Sequence, residues 1–257
     1  MNYLHAGILG VVEGLTEFLP ISSTAHLILV AKLLHLPQNS FQTFFEVFIQ
    51  IGAILAVVFL FWKDLWDIKH IKNLIASFIP TAIIGFLLYK VITTVFFNST
   101  FLIAGSLVVI GIVFLIVEQR SAKLTKTISS LTWQSAVLIG LAQSLAVVPG
   151  VSRSGIVMVA MMLMGYSRKE SAKYSFMLAL PTLGAAGFYD LYKMRHVLAF
   201  NTNAIVLTAI GFGVAFVFAY FSMRWFVGYL QKNSLRVFGW YRIALGIITT
   251  AVLIMFP

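Results

Sequence analysis

Cysteine is absent from the 257 residues of this chain, which excludes disulfides, thiolate metal sites and cysteine nucleophiles. Charge is scarce. Asp, Glu, Lys and Arg make up 10% of residues against 60% hydrophobic, and the mean hydropathy is +0.98. A soluble globular domain of this length could not cover itself with so little polar surface. Alternating patterning of the β-barrel kind is missing as well. The apolar runs at 48–62, 74–89, 101–117, 204–222 and 243–256 approach or reach the roughly 20 residues a spanning helix needs. The fold class is therefore an all-α polytopic membrane protein. A basic n-region is also lacking: His5 is the only early ionisable side chain, and Glu13 and Glu17 interrupt the apolar run. The N-terminus is accordingly not read as a cleavable signal.

The formal net charge is +10, but the basic residues sit at the ends of apolar segments, where Lys and Arg act as topology signals and anchors. Nucleic acid is not an expected partner. The 23 Phe, nine Tyr and nine Met read as lipid-facing and core material with no cofactor box among them.

Two polar, proline-broken segments interrupt this apolar background: GVVEGLTEFLPISSTAH at 10–26 and GLAQSLAVVPGVSRSG at 140–155. A shift of 130 residues lays Gly140 on Gly10, Gln143 on Glu13, Val151 on Ile21, Ser152 on Ser22 and Arg153 on Ser23. If segments 5–35 and 135–165 each enter the membrane and return on the same side, six spans remain near 42–62, 74–90, 101–117, 174–190, 204–222 and 240–257. Twelve basic residues (Lys63, Lys69, Lys72, Arg120, Lys123, Lys126, Arg168, Lys169, Lys173, Arg224, Lys232 and Arg236) then fall on one side. Lys32, Lys90, Lys193 and Arg195 fall on the other, with Arg153 and Arg242 inside the membrane. The positive-inside rule makes the first side cytoplasmic and puts both termini outside. The halves, approximately 1–125 and 130–257 of one membrane domain, become inverted repeats whose broken helices meet near the midplane. A competing arrangement makes each polar segment one or two true spans.

Glu13 and Glu17 are spaced i, i+4, which puts two carboxylates about 6 Å apart on one helical face. In a low dielectric they must share a proton, bind a cation or face a basic partner; the plainer alternative is a helix-packing polar pair. Ser22, Ser23 and Thr24 follow the Pro20 break as natural N-caps, and three in a row exceed what a cap needs. Helix starts at such breaks are ready anion sites. His26, one turn beyond Ser22 and Ser23, can point back to the same pocket or serve as a packing residue. In the second segment Ser152 and Ser154 can cap or donate, and Gly155 allows close approach. Arg153 would be costly facing lipid, and its planar fork suits a phosphate, although a structural Arg–Glu pair would also explain it. Together the groups resemble phosphoryl-transfer machinery with an oxygen-ligated Mg²⁺ or Ca²⁺.

At these residues the chain resembles the undecaprenyl-diphosphate phosphatases, the bacitracin-resistance family of membrane phosphatases. The motifs E-G-x-T-E-F-L-P-[IV]-S-S-T-x-H at 13–26 and P-G-x-S-R-S-G at 149–155 carry the resemblance, with further matches at Phe45, Glu46, Val47 and Gln50 and over the turn at 190–193. Ala25 stands where many members have Gly. The resemblance implies hydrolysis of undecaprenyl diphosphate with a divalent cation, an inverted-repeat helical fold in the bacterial cytoplasmic membrane, and a site open to the extracytoplasmic side. Membrane lipid is a further expected partner, and a homodimer is compatible with it. Glu13, Glu17, Ser23, His26, Ser152 and Arg153 match the family's proposed site positions.

The expected roles follow. Glu13 and Glu17 hold the metal, and Glu17 also serves catalysis. Ser22, Thr24, Ser152, Ser154 and Arg153 bind substrate, and Arg153 is also catalytic. Ser23 is the nucleophile or the residue positioning it, with His26 as acid/base; attack by His26 or by a metal-bound water is the alternative. A lipid-phosphate or anion transporter on the same repeat is the rival function. Glu46, Gln50 and Arg242 rank second, as hydrogen-bond partners of the site or inter-helix ties. Asp190 is expected in a membrane-edge turn.

Overall fold

The computed structural model describes residues 1–37, 39–96, 99–120, 124–199 and 202–255, and all the regular structure described there is helical. Of the basic residues in the charge count, Lys123 and the side chains of Arg120 and Arg195 lie outside the described residues, as do the last two residues of the expected 240–257 span.

Among the described residues, ten helices of eleven residues or more organise the fold: α1 (Tyr3–Thr16), α2 (Ser23–Leu33), α3 (Ser40–Leu65), α4 (Ile68–Leu87), α5 (Thr100–Arg120), α6 (Trp133–Gln143), α7 (Arg153–Leu163), α8 (Arg168–Ala199), α9 (Thr202–Leu230) and α10 (Arg236–Met255). Their starts are written in the sequence as polar caps. The side chains of Asn2, Asn39, Asp67 and Thr132 accept from the backbone N–H of His5, Gln42, Lys69 and Ser135 at 2.8–3.3 Å, relieving donors that a helix start leaves unpaired.

Two short helices and three long ones come in sequence, twice: 14, 11, 26, 20 and 21 residues, then 11, 11, 32, 29 and 20. At 1.5 Å per residue the short helices are about 16–21 Å long, less than a hydrocarbon layer of about 30 Å. Five of the long helices are apolar and long enough to cross a membrane. The sixth, α8, is less apolar because Arg168, Lys169, Glu170 and Lys173 open it and Asp190, Lys193 and Arg195 lie near its end; its first half lies inside the bundle. There Ala172, Tyr174, Phe176, Met177, Leu178 and Ala179 are fully buried, and Ser171 and Ser175 bond to backbone carbonyls. Asp190 falls within α8, which corrects the expected turn at 190–193. Between Gly187 and Ala199 the sequence has no glycine or proline to stop a helix.

Outward faces are apolar. On α4, Ile75, Ile79, Ile83 and Phe86 form a stripe 49–83% exposed, a surface suited to lipid and not to water. This chain is a multi-pass membrane protein.

Polar ties gather at the two ends of the bundle. At one end Lys173 pairs with Asp64 (2.6 Å) and Lys69 reaches the Ser129 carbonyl (2.5 Å). Glu118 accepts from Arg168 and from the Leu235 N–H there. The ends of α3 and α5 thus meet the starts of α4, α8 and α10. At the other end Lys32 donates to Thr100 and Lys193 to the Tyr89 hydroxyl.

The short pairs are held by the opposite half. Gly10 and Gly14 press α1 onto α9, so close that a Cβ at Gly14 would lie 2.6 Å from the Ala215 carbonyl. Likewise, α6 packs at Gly140 against the Ser77 backbone of α4, and Ser77 and Thr81 donate to the Ala136 and Gly140 carbonyls. The helix breaks after α1 and α6 are thereby fixed inside the bundle.

Candidate active site

Both breaks end on a serine in an unusual conformation. Ser22 (φ 71°, ψ 89°) caps α2 and Ser152 (φ 70°, ψ 112°) caps α7, their hydroxyls accepting from Ala25 N–H and Gly155 N–H. Among the described residues only His35 is another non-glycine with positive φ. A residue held there stores on the order of 1–3 kcal/mol of strain. These are the two serines that the 130-residue shift superimposes.

Three connections join the breaks. Ser154 donates to the Leu19 carbonyl (3.1 Å). Arg153 pairs with Glu17 through Nη2 and Oε1 (2.7 Å) and donates through Nη1 to the Ser175 carbonyl (2.7 Å). Arg242, fully buried on α10, donates to the Pro20 carbonyl (3.1 Å) on one break and to the Gly150 (2.5 Å) and Val151 (3.1 Å) carbonyls on the other. Carbonyl dipoles balance its charge, since no carboxylate pairs with it among the described residues. Phe114 lies 5.6 Å under its guanidinium.

At the centre, Ser23 donates its hydroxyl proton to Glu17 Oε2 at 2.5 Å. Glu17 thus accepts from Ser23 with one oxygen and from Arg153 with the other, as an ionised carboxylate does. All three side chains are largely buried. The arrangement is a hydroxyl poised on a base that is itself oriented by a third group, the pattern of an activated nucleophile. Arg153 Nε has no hydrogen-bond partner among the described residues, leaving a donor for an incoming anion.

Glu13 lies one turn before Glu17, fully buried, and neither of its oxygens has a hydrogen-bond partner among the described residues. A bare carboxylate at that depth needs a proton or a cation. Its counterpart Gln143 donates to Thr81 (2.9 Å). Among the described residues no three His, Asp or Glu side chains are grouped to chelate a metal.

Of the expected site residues, Glu17, Ser22, Ser23, Ser152, Arg153 and Ser154 converge. His26 does turn back, but onto the Ser22 carbonyl (Nδ1, 2.7 Å) and the Tyr241 hydroxyl (Nε2, 2.7 Å), and has no hydrogen bond to Ser23 among the described residues. Thr24 is partly exposed and joins no hydrogen bond of the cluster. Glu46 accepts from Gln42 on its own helix (2.7 Å). Arg242, ranked second from sequence, belongs to the frame of the site; an arginine within an apolar run was the available signal. Nothing in the sequence singled out Tyr241.

Fold and site together define a multi-pass membrane protein with a hydroxyl–carboxylate–guanidinium centre between two broken helices. The chain belongs to the bacitracin resistance protein BacA family, whose profile matches residues 6–248. An undecaprenyl-diphosphatase of Sulfurihydrogenibium sp. (strain YO3AOP1) is 46% identical over 251 residues, covering 96% of this chain and 98% of its own length. The undecaprenyl-diphosphatase of Campylobacter fetus subsp. fetus is 46% identical over 252 residues (96% and 97%). That of Aquifex aeolicus is 43% identical over 254 residues (98% of both).

Proposed function

We propose that this protein hydrolyses undecaprenyl diphosphate to undecaprenyl phosphate and inorganic phosphate, recycling the lipid carrier of cell-wall synthesis and conferring bacitracin resistance. The observation that carries the chemistry is the 2.5 Å bond from Ser23 to Glu17, itself paired with Arg153. Ser23 Oγ attacks the terminal phosphorus as its proton passes to Glu17. The phosphoanhydride bond breaks, and undecaprenyl phosphate leaves with the bridging oxygen. Water then attacks the phosphoserine: Glu17 returns its proton to the departing Ser23 oxygen, takes one from the water, and releases that proton to solvent with the phosphate. Arg153, Ser152, Ser154 and the N–H groups at the starts of α2 and α7 hold the phosphates where charge develops. Phosphoryl transfer asks mostly for such positioning and neutralisation. The comparisons do not favour the transporter reading.

A divalent cation fits the donors available. Both Glu13 oxygens are buried without hydrogen-bond partners among the described residues, and Mg²⁺ commonly reaches a protein through one or two carboxylates plus substrate phosphates. Glu13, with Glu17, would hold it, and the ion would neutralise the diphosphate. Halves 1–125 and 130–257 are inverted repeats in this reading, supported by the recurring helix order and the matched strained caps. The end carrying Asp64, Lys69, Arg168 and Lys173 is cytoplasmic, and both termini and the site opening are extracytoplasmic in the bacterial inner membrane.

The test is phosphate release from undecaprenyl diphosphate by detergent-purified protein, with EDTA and with Mg²⁺ or Ca²⁺ restored. Release that stops with EDTA and returns with the cation is expected. Folded protein inactive with either cation would refute the reading.

A further inference from the structure

We infer that Tyr241 is a positioning residue of this site, acting through His26 to hold the imidazole in place against the Ser22 carbonyl. The inference rests on the phosphatase reading above. The Ser22 carbonyl can only accept, so His26 Nδ1, 2.7 Å away, is the nitrogen that bears hydrogen. Nε2 of the neutral ring then presents a lone pair, and the Tyr241 hydroxyl at 2.7 Å donates to it. The two rings lie within 5° of parallel with centroids 5.7 Å apart.

A phenol is suited to this place because it serves either state of the ring. It donates to Nε2 when that nitrogen is bare and accepts from it when protonated, so the imidazole can take up and lose a proton without moving. The other end of the ring holds the carbonyl of Ser22, the strained cap at φ 71°, and Ser23 follows directly with its bond to Glu17. Tyr241 therefore supports, through His26 and Ser22, the placement of the attacking hydroxyl. Its neighbour Arg242 holds the Pro20 carbonyl two residues before that cap, so one turn of α10 sets the start of α2 from both sides. Tyr241 is 43% exposed, which puts the outer end of the chain within reach of solvent or a bound headgroup.

The test compares wild-type protein with Tyr241→Phe, which keeps the ring and removes the hydroxyl. Phosphate release from undecaprenyl diphosphate, thermal unfolding and ¹⁵N-histidine spectra are measured, with His26→Gln identifying the His26 signals. The wild type should show the Nδ1–H tautomer at His26. In Tyr241→Phe the Nε2 resonance should move to that of a nitrogen with no donor, and kcat should fall about tenfold, the scale of one hydrogen bond, with KM within about twofold. An active wild type with an equally active Tyr241→Phe overturns the inference, as does an Nε2–H tautomer in the wild type. A Tyr241→Phe protein that fails to fold leaves the decision to the wild-type tautomer. An inactive wild type refutes the phosphatase reading instead, and the spectra of the two proteins then decide the pairing.

Discussion

A carboxylate bonded to both a serine and an arginine, as Glu17 is, has two separable duties. Glu17→Gln keeps the shape but cannot take the proton from Ser23, so turnover should fall at least about a hundredfold, the range of a general base. Ser23→Ala should fall at least as far, with binding of a non-hydrolysable substrate analogue retained in both; near-normal turnover in either variant removes Ser23 from the mechanism. Arg242 presents a different case. Arg242→Met leaves the Pro20, Gly150 and Val151 carbonyls without their donor, and each buried unsatisfied group costs about 1–3 kcal/mol. Thermal unfolding should drop by several degrees along with activity, and Arg242→Lys should recover only part because an ammonium lacks the planar fork. An unaltered melting point would mean the clamp is not needed. Glu17, Ser23 and Arg153 were legible in the sequence because ionisable groups in apolar runs must be paired or used. The role of Tyr241 was not legible. A tyrosine near a membrane edge is ordinary, and only the fold brings it to a residue 215 positions away.

Among the helices, the stripe of small residues on α1 decides how deep the first break can sit. Gly14→Ala would place a methyl 2.6–2.9 Å from Ala215 O, Phe218 Cβ and Ala219 N, contacts that require the α1–α9 pair to separate, at about 1–3 kcal/mol. Gly7→Ala on the same helix meets nothing within 4 Å and should be neutral or slightly stabilising. Thermal unfolding of the two variants should diverge; equal behaviour would mean the close approach of α1 and α9 is not needed for stability. The breaks themselves were readable from Pro20 and from Pro149 with Gly150, and so were the hydroxyl caps. The length of α8 was less so. Its apolar run fades after Leu183, yet the helix continues to Ala199 because no breaker intervenes and its first half is already anchored in the core. Hydropathy marks what lipid touches, and the first half of α8 is buried inside the bundle.

For the molecule as a whole, the bundle's two ends differ in charge, and the absence of cysteine makes the resulting orientation measurable without background labelling. Thr125→Cys, beside Lys126 and exposed, should react with an impermeant maleimide only in inverted membrane vesicles. Pro37→Cys, exposed at the opposite end, should react in intact cells. The reverse pattern would overturn the assigned orientation. The charge count needed only the order of apolar segments and their flanks, which is why it could be made from sequence. Which helices touch across the bundle could not be read that way, since a pairing such as α1 with α9 depends on shape at glycine and alanine and not on any residue's polarity.

That pairing has a consequence for how the protein is made. Glu13 leaves the ribosome about 200 residues before Gly211, its helix's eventual neighbour on α9. At bacterial elongation rates this is an interval on the order of ten seconds or more. Throughout it the amino-terminal hairpin carries a carboxylate with no surface to cover it. The second hairpin emerges with α4 already in the bilayer to receive it. The nascent chain is therefore most vulnerable early, and premature termination before α9 leaves a polar hairpin stranded in lipid, the kind of substrate that membrane quality-control proteases remove.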